Sequence, residues 1–297
     1  MKQTNLYSNT ALVDADYILW IACHKNKVYD KSGTPLRDEV GNLVYTDKTL
    51  QEAIDTCDSY INDLLRVCRA DSHILFLTAF NNFRYSLDIS YKANRVGVEK
   101  PMWLKEVREH MQLHWNAVEV PGLEADDLVV LTANNFTNSF IVAADKDVLD
   151  CTPGTHFDVR KGRVGFITTT QDYADYAFAR SILTGDKIDG IQNVKKGYGI
   201  KTAEKDLNSI LGRNIVGMTP LNAAQMIYQE QLGEHDGIIK FAKQYQLLKI
   251  LNAFYQIPEG INYQIPEPTC FHCTETLLSK ELIEGVGFDY LNNEDYD

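Results

Sequence analysis

Proline and cysteine, the residues that stiffen or staple small folds, are scarce in this 297-residue chain, at 8 and 6. Cys23, Cys57, Cys68, Cys151, Cys270 and Cys273 are scattered along it. That spacing excludes a dense disulfide scaffold and points to thiols kept reduced in a cytoplasm. No apolar run approaches the roughly 20 residues of a membrane span, so no membrane partner is expected. The opening MKQTNLYSNT lacks the apolar centre of a signal peptide. Basic charge is also in short supply, with 29 Lys+Arg against 41 Asp+Glu and a formal net charge of −12. Such a balance argues against coating nucleic acid by bulk charge, yet it allows a basic groove on an acidic body. There is no Walker-type glycine loop and no G-x-S-x-G elbow, which excludes those two routes to nucleotide and ester hydrolysis. The run CFHC at 270–273 lacks a second Cys/His pair nearby, so Cys270, His272 and Cys273 read as turn residues rather than zinc ligands.

What is present suits a globular chain of one large or two modest domains, with 44% hydrophobic and 24% charged residues. ALVDADYILW is an apolar strand that runs into the acidic pair Asp14 and Asp16. Residues 24–47 are polar and turn-rich, an excursion between this strand and its helix. Thr46 or Asp47 is the expected cap of a helix over roughly 48–70, where Ala53, Ile54, Cys57, Ile61, Leu64, Leu65 and Cys68 share one face. HILFLT (73–78) and SFIVAAD (139–145) are further buried strands, and 156–168 reads as a hairpin turning at Lys161-Gly162. Short apolar strands alternating with helices predict an α/β fold, a mainly parallel central sheet flanked by helices. From about Thr170 the periodicity is helical, which predicts a core over 1–175 and a helical region over 176–297, with an irregular tail after Ile257.

The acids fall where such a fold would concentrate them. Asp14 ends the first strand, Glu124, Asp126 and Asp127 open a helix, Asp145 and Asp147 end the third strand, and Asp186 and Asp189 lie in TGDKIDG. Singly these are ordinary helix starts and turns. In an open parallel sheet, however, strand ends and the loops after them line one crevice. Eight carboxylates there would repel one another strongly unless cations intervened. Hard divalent ions such as Mg²⁺ or Mn²⁺ meet that need, and two of them roughly 4 Å apart would suit phosphodiester hydrolysis. Two stretches are basic against this background. Residues 81–113 carry Arg84, Lys92, Arg95, Lys100, Lys105 and Arg108 interleaved with Tyr85, Tyr91 and Trp103. Residues 187–205 carry Lys187, Lys195, Lys196, Lys201 and Lys205. Lys and Arg can compensate phosphate charge and aromatic rings can stack on unpaired bases, while the other reading of 81–113 is a solvated charged helix with Trp103 packed on the core.

The ordered set LVDAD, YKANR, LEADD, ADKD and TGDKIDGIQNVKKGYGIKTA resembles the flap endonuclease/5′→3′ exonuclease family, over roughly residues 11–205. The family includes the N-terminal nuclease of bacterial DNA polymerase I and phage-encoded exonucleases, and the phage type is nearest in length and in YKANR. The resemblance implies a metal site built from Asp14, Glu124, Asp126, Asp145 and Asp147, with Asp127, Asp186 and Asp189 completing a second-metal side. It also implies that 81–113 is a helical arch leading a single-stranded 5′ end, with Arg84 and Tyr91 on DNA and Lys92 and Arg95 acting on the scissile phosphate. NVKKGYGIKTAEKDL resembles the family's helix–turn–helix duplex-binding element. There Gly197 and Gly199 allow close backbone approach, Lys195, Lys196 and Lys201 add charge, and a potassium ion has room in the turn. DNA with a 5′ single-stranded end or a duplex/single-strand junction is the implied partner, and a bacterial host cytoplasm the implied setting for a phage-encoded chain.

One position departs from the pattern. The family usually carries an Asp just after the second strand, and here that place is Ala79, with nothing acidic between Asp71 and Asp88. Water or Thr78 would have to serve instead. Two rivals stay open on sequence alone: an inactive junction-binding protein of the same fold, motivated by Ala79, and a small-molecule phosphohydrolase, which has no use for the two basic stretches.

Overall fold

The computed structural model describes residues 9–271. His272 and Cys273 of the CFHC run lie outside them, while Cys270 is exposed. Strand β1 (Thr10–Asp14) is buried along its whole length, as its unbroken apolar run requires of a strand covered on both faces. It leads at once into α1 (Asp16–Cys23). The polar excursion is a hairpin in which β2 (Asn26–Lys27) pairs antiparallel with β3 (Tyr45–Thr46), continued by bridges from Tyr29 to Pro35 and Arg37 to Leu43. Helix α2 (Leu50–Val67) starts later than the sequence suggested. Thr46 belongs to β3, and the cap is Thr49, whose hydroxyl accepts from Glu52 N at 3.2 Å while the Glu52 carboxylate accepts from Thr49 N at 2.7 Å. This reciprocal box satisfies two helix-end donors at once, which a lone Thr46 or Asp47 cannot do.

The chain continues through β4 (Ser72–Leu77), α3 (Arg84–Leu87), a single 3-10 turn at Ala93–Arg95, α4 (Leu104–His114), β5 (Val118–Glu119) and α5 (Ala125–Asn135). Then come β6 (Ser139–Ala143), α6 (Lys146–Cys151), β7 (Gly154–Asp158) and β8 (Gly165–Thr169). The sheet runs β5-β4-β1-β6-β7-β8. β5, β4, β1, β6 and β7 are mutually parallel and β8 returns antiparallel to β7. Residues 159–164 join these last two strands, with Gly162 at φ +72°.

Helices α1, α2 and α4 cover one face through Ile18, Ile61, Leu64, Val107 and Met111. Helices α5 and α6 and the segment around Leu251 cover the other through Leu128, Val129, Val148 and Leu149. The expected arch stretch therefore divides. α4 packs on the body, residues 93–100 and 102 are exposed, and within 84–92 only Arg84 and Tyr91 are buried.

Four helices, α7 (Gln171–Thr184), α8 (Ile200–Leu211), α9 (Pro220–Leu232) and α10 (Glu234–Leu248), build a third core around Leu183, Val194, Tyr198, Leu207, Ile227 and Tyr228. The expected 175/176 boundary falls inside α7. A short β9 (Thr269–Cys270) adds antiparallel to β4. Among the described residues, no helix is long and apolar enough to cross a membrane.

Register places the strand ends. Asp14 pairs with Phe76 of β4, and Val13 with Val142 of β6. The carboxyl ends of β1, β4 and β6 thus reach the same edge, and Asp14, Thr78 and Asp145 emerge together.

Candidate metal and nucleic-acid site

Asp14 is 7% exposed at the end of β1. Asp126 comes to it from the first turn of α5, and Asp145 and Asp147 from the junction of β6 and α6. Asp145 caps α6 by accepting from Asp147 N at 2.6 Å, which fixes the pair. Burial, and then the charges of Asp16 and Asp145, push the Asp14 carboxyl up to about 8. Burial and then Asp145 push Asp147 up to about 7. Asp126 is raised too, by burial and then by Asp14 and Asp145, and Asp145 is raised chiefly by burial although its side chain meets solvent at the mouth. The distant acids of the sequence do gather.

Their surroundings divide them into two sets. Ion pairs in this region go to Glu124, Asp127, Asp186 and Asp189 rather than to Asp14, Asp126, Asp145 or Asp147. Among the described residues, no three His, Cys, Asp or Glu side chains stand in an arrangement that would hold an ion as they are. The acids are within electrostatic reach of one another without being in coordination geometry. The donor set still fits a hard divalent cation: it is all carboxylate oxygen, and its raised pKa values mark negative charge that lacks compensation.

Asp127 departs from its expected role. It is fully buried and takes both arms of Arg84, at 2.7 and 2.9 Å, while its Oδ1 also accepts from Leu251 N. It is a structural ion pair and not a metal ligand. Arg84 is corrected with it. Only 3% exposed, its guanidinium also reaches Glu124 at 3.2 Å and the Leu247 and Lys249 carbonyls, so it ties the end of α10 to the start of α5 and does not face DNA. A buried carboxylate needs a buried counter-charge, and Arg supplies it with a planar fork. Tyr91, also 3% exposed, donates its hydroxyl to Glu124 at 3.0 Å or Asp189 at 3.1 Å, which leaves no open ring face for a base.

The YKANR segment is fastened to the TGDKIDG turn. Lys92 N donates to Asp189 O at 2.8 Å, and Asn94 Nδ2 donates to the carbonyls of Lys187 and Ile188, each at 3.1 Å. Lys92 pairs with Glu124, and Arg95 with Asp189 at 2.6 Å. Burial opposes the Glu124 charge, but Lys92 and Arg84 outweigh it and hold this carboxyl below its ordinary range. Burial outweighs Lys92 and Arg95 at Asp189, which is raised. The turn itself depends on Gly185 at φ +65°, where any Cβ would collide with the Ile191 and Gln192 backbone.

Ala79 is 4% exposed and its N–H donates to Leu123 O at 3.2 Å. The Thr78 hydroxyl accepts from Ala125 N at 2.9 Å, which occupies one of its two lone pairs. The acid nearest this strand end is Asp16, whose Oδ1 accepts from Thr78 N at 3.1 Å and lies 3.8 Å from Arg108. Asp16, read from the sequence only as the neighbour of Asp14, lies beside the strand end where the family's acid is replaced by Ala79. Its spacing of two from Asp14, across a strand-to-helix junction, was the available signal.

At the second basic stretch, Val194 and Tyr198 anchor the turn in the third core while Lys195, Lys196, Gly197, Gly199 and Lys201 are exposed. Gly197 adopts φ +81°, which an L side chain would resist. Helix α8 begins directly after this turn, presenting its free N–H groups beside the lysines. Two carbonyls of the turn, those of Asn193 and Val194, accept from the Lys240 ammonium at 3.0 and 2.9 Å. A fixed cation from α10 therefore already serves part of the turn considered for potassium.

No family model matches the chain, and no curated protein matches its sequence. Solved structures do. A T5 D15 protein co-crystallised with metal ions superposes at a TM-score of 0.52 with 15% identity, covering 82% of this chain and 89% of that one. A variant of the bacteriophage T5 flap endonuclease, in a pseudo-enzyme-product complex with DNA and metal ions, gives a TM-score of 0.50 with 15% identity, covering 81% and 99%. The mainly parallel sheet, its flanking helices and the helical C-terminal region accordingly make up the flap endonuclease fold.

Proposed function

We propose that the protein is a divalent-metal-dependent nuclease acting at 5′ ends or 5′ flaps of DNA. The observation that carries this reading is the cradle of Asp14, Asp126, Asp145 and Asp147, crowded and without ion pairs, on the carboxyl edge of the sheet and beside Lys92. Those four residues, with Glu124 once Lys92 leaves it, would hold a first Mg²⁺ or Mn²⁺, and Asp186 and Asp189 a second. When bound, such ions supply activation of a water and stabilisation of the leaving oxygen. The chain's own residues do the rest. Lys92 and Arg95 are poised to leave Glu124 and Asp189 for the scissile phosphate, where they stabilise developing charge. Lys195, Lys196 and Lys201 grip duplex phosphates, which fixes position without reading sequence. The T5 flap endonuclease complex, which holds DNA and metal ions, supports the same pairing of fold and substrate.

Ala79 favours one alternative, a junction-binding protein that has lost cleavage. Incubating 5′-labelled flap DNA with the protein in Mg²⁺ or Mn²⁺, and again in EDTA, separates the two. Metal-dependent release of the labelled end supports the nuclease, whereas binding with no cleavage in either metal supports the alternative. Asp126→Ala is expected to bind DNA and lose most cleavage. Charge reversal of Lys195 and Lys196 is expected to suppress cleavage, and unchanged turnover would favour a small-molecule phosphohydrolase.

A further inference from the structure

Phe80 follows Ala79 on the segment that leaves β4, and at 75% exposure it is one of the most open large apolar side chains described. Single exposed apolar residues are common and by themselves mean nothing. This ring differs in what lies behind it. The Arg108 guanidinium sits 5.0 Å from the ring centroid. It is held there from its edge, donating to Thr78 O at 2.9 Å and to Glu119 at 2.7 Å, with Asp16 at 3.8 Å. One face of Phe80 is thus backed by a nearly buried, fixed cation and the other opens to solvent.

The location of this ring is equally specific. The 78–83 segment is bonded on one side to Asp16, which donates its own N–H to Asp14, and on the other to the 122–125 segment that delivers Asp126. Phe80 therefore stands at the rim of the carboxylate cradle, at the carboxyl edge where ligands of parallel sheets bind.

We propose that Phe80, stacked on Arg108, is the platform for one unpaired nucleobase of the DNA strand whose phosphate lies over the carboxylates. This rests on the nuclease reading above and adds a residue that selects single-stranded character next to the cut. A lone ring with a single open face matches one base better than the wider face of a base pair, and stacking of this kind is indifferent to base identity. Arg108 makes the platform rigid, so little side-chain freedom is lost on binding.

The test uses full-length protein and junction DNA carrying 2-aminopurine as the first unpaired base of the 5′ tail, titrated in EDTA so that no cutting occurs. Binding is expected to quench the probe, and Phe80→Ala to abolish the quenching and weaken affinity by between about 5- and 150-fold. Phe80→Trp should keep both. Replacing the probed base by an abasic site should cost wild type a similar factor and cost Phe80→Ala almost nothing more. Equal losses on abasic and normal tails, equal losses on blunt duplex, or no loss at all would each overturn the platform. Metal-dependent cleavage of the unmodified substrate by wild type, run in parallel, decides the underlying reading: cleavage with no Phe80 effect removes the platform alone, and absence of DNA binding removes both.

Discussion

Removing a carboxylate from the cradle should stabilise the metal-free protein, and Asp14→Asn is the cleanest case. Its carboxyl is pushed up to about 8 from an ordinary 3.8, first by burial and then by Asp16 and Asp145. Between these two values the folded state keeps a proton that the unfolded chain has released. Stability therefore falls as pH rises through this window, by about 1.4 kcal/mol per unit. From pH 5 to pH 7 the loss attached to Asp14 is on the order of 2 to 3 kcal/mol. Asparagine is neutral and close in shape to the protonated acid, so the variant escapes this loss. In EDTA, thermal melts should show the variant gaining on wild type by roughly 5 °C between pH 5 and pH 7. Saturating Mn²⁺ should reverse the order at pH 7, because ligand binding stabilises the form that holds it best. A metal-free variant less stable than wild type at pH 7, or an advantage that does not change with pH, would refute the reasoning.

Arg84→Met strands the buried Asp127 charge and should cost about 3 to 5 kcal/mol in urea unfolding. Adding Asp127→Asn, which removes the stranded charge and keeps an acceptor for Leu251 N, should recover part of that, and a single variant within about 1 kcal/mol of wild type would deny the pair its structural role. His73, 2% exposed in β4, is held down to about 4 by burial. Unfolded chains take up that proton first as pH falls, so its contribution is complete above about 6.5 and lost by about 4, a change on the order of 3 kcal/mol. Comparing wild type with His73→Phe across this window isolates it, and parallel pH profiles would count against it. Replacing both Lys195 and Lys196 by Ala should lower the slope of log affinity against log salt on duplex DNA by about 1.8. An unchanged slope places the duplex elsewhere.

The sheet was legible in the sequence because parallel strands covered on both faces need unbroken apolar runs, and Thr10–Asp14, Ser72–Leu77 and Ser139–Ala143 show them. The gathering of Asp14 and Asp145 followed from strand ends, and that of Asp126 from a helix opening on the same edge. What sequence could not separate was an acid that carries its own cation from one that awaits a metal. Asp126 and Asp127 are adjacent, yet only Asp127 meets a guanidinium, and that group lies 43 residues away. The same long-range pairing hid Arg84 and Tyr91: a basic, aromatic stretch reads as a nucleic-acid surface until its partners are known. Phe80 was invisible for the opposite reason, since its meaning depends on Arg108 behind it.

The central claim is that the uncompensated acids at the sheet edge are a metal cradle, and crystals grown with Mn²⁺ test it most directly. Anomalous scattering should place manganese in contact with Asp14, Asp126 and Asp145. Manganese absent from that edge at saturating concentration, or bound only elsewhere on the molecule, would contradict the account.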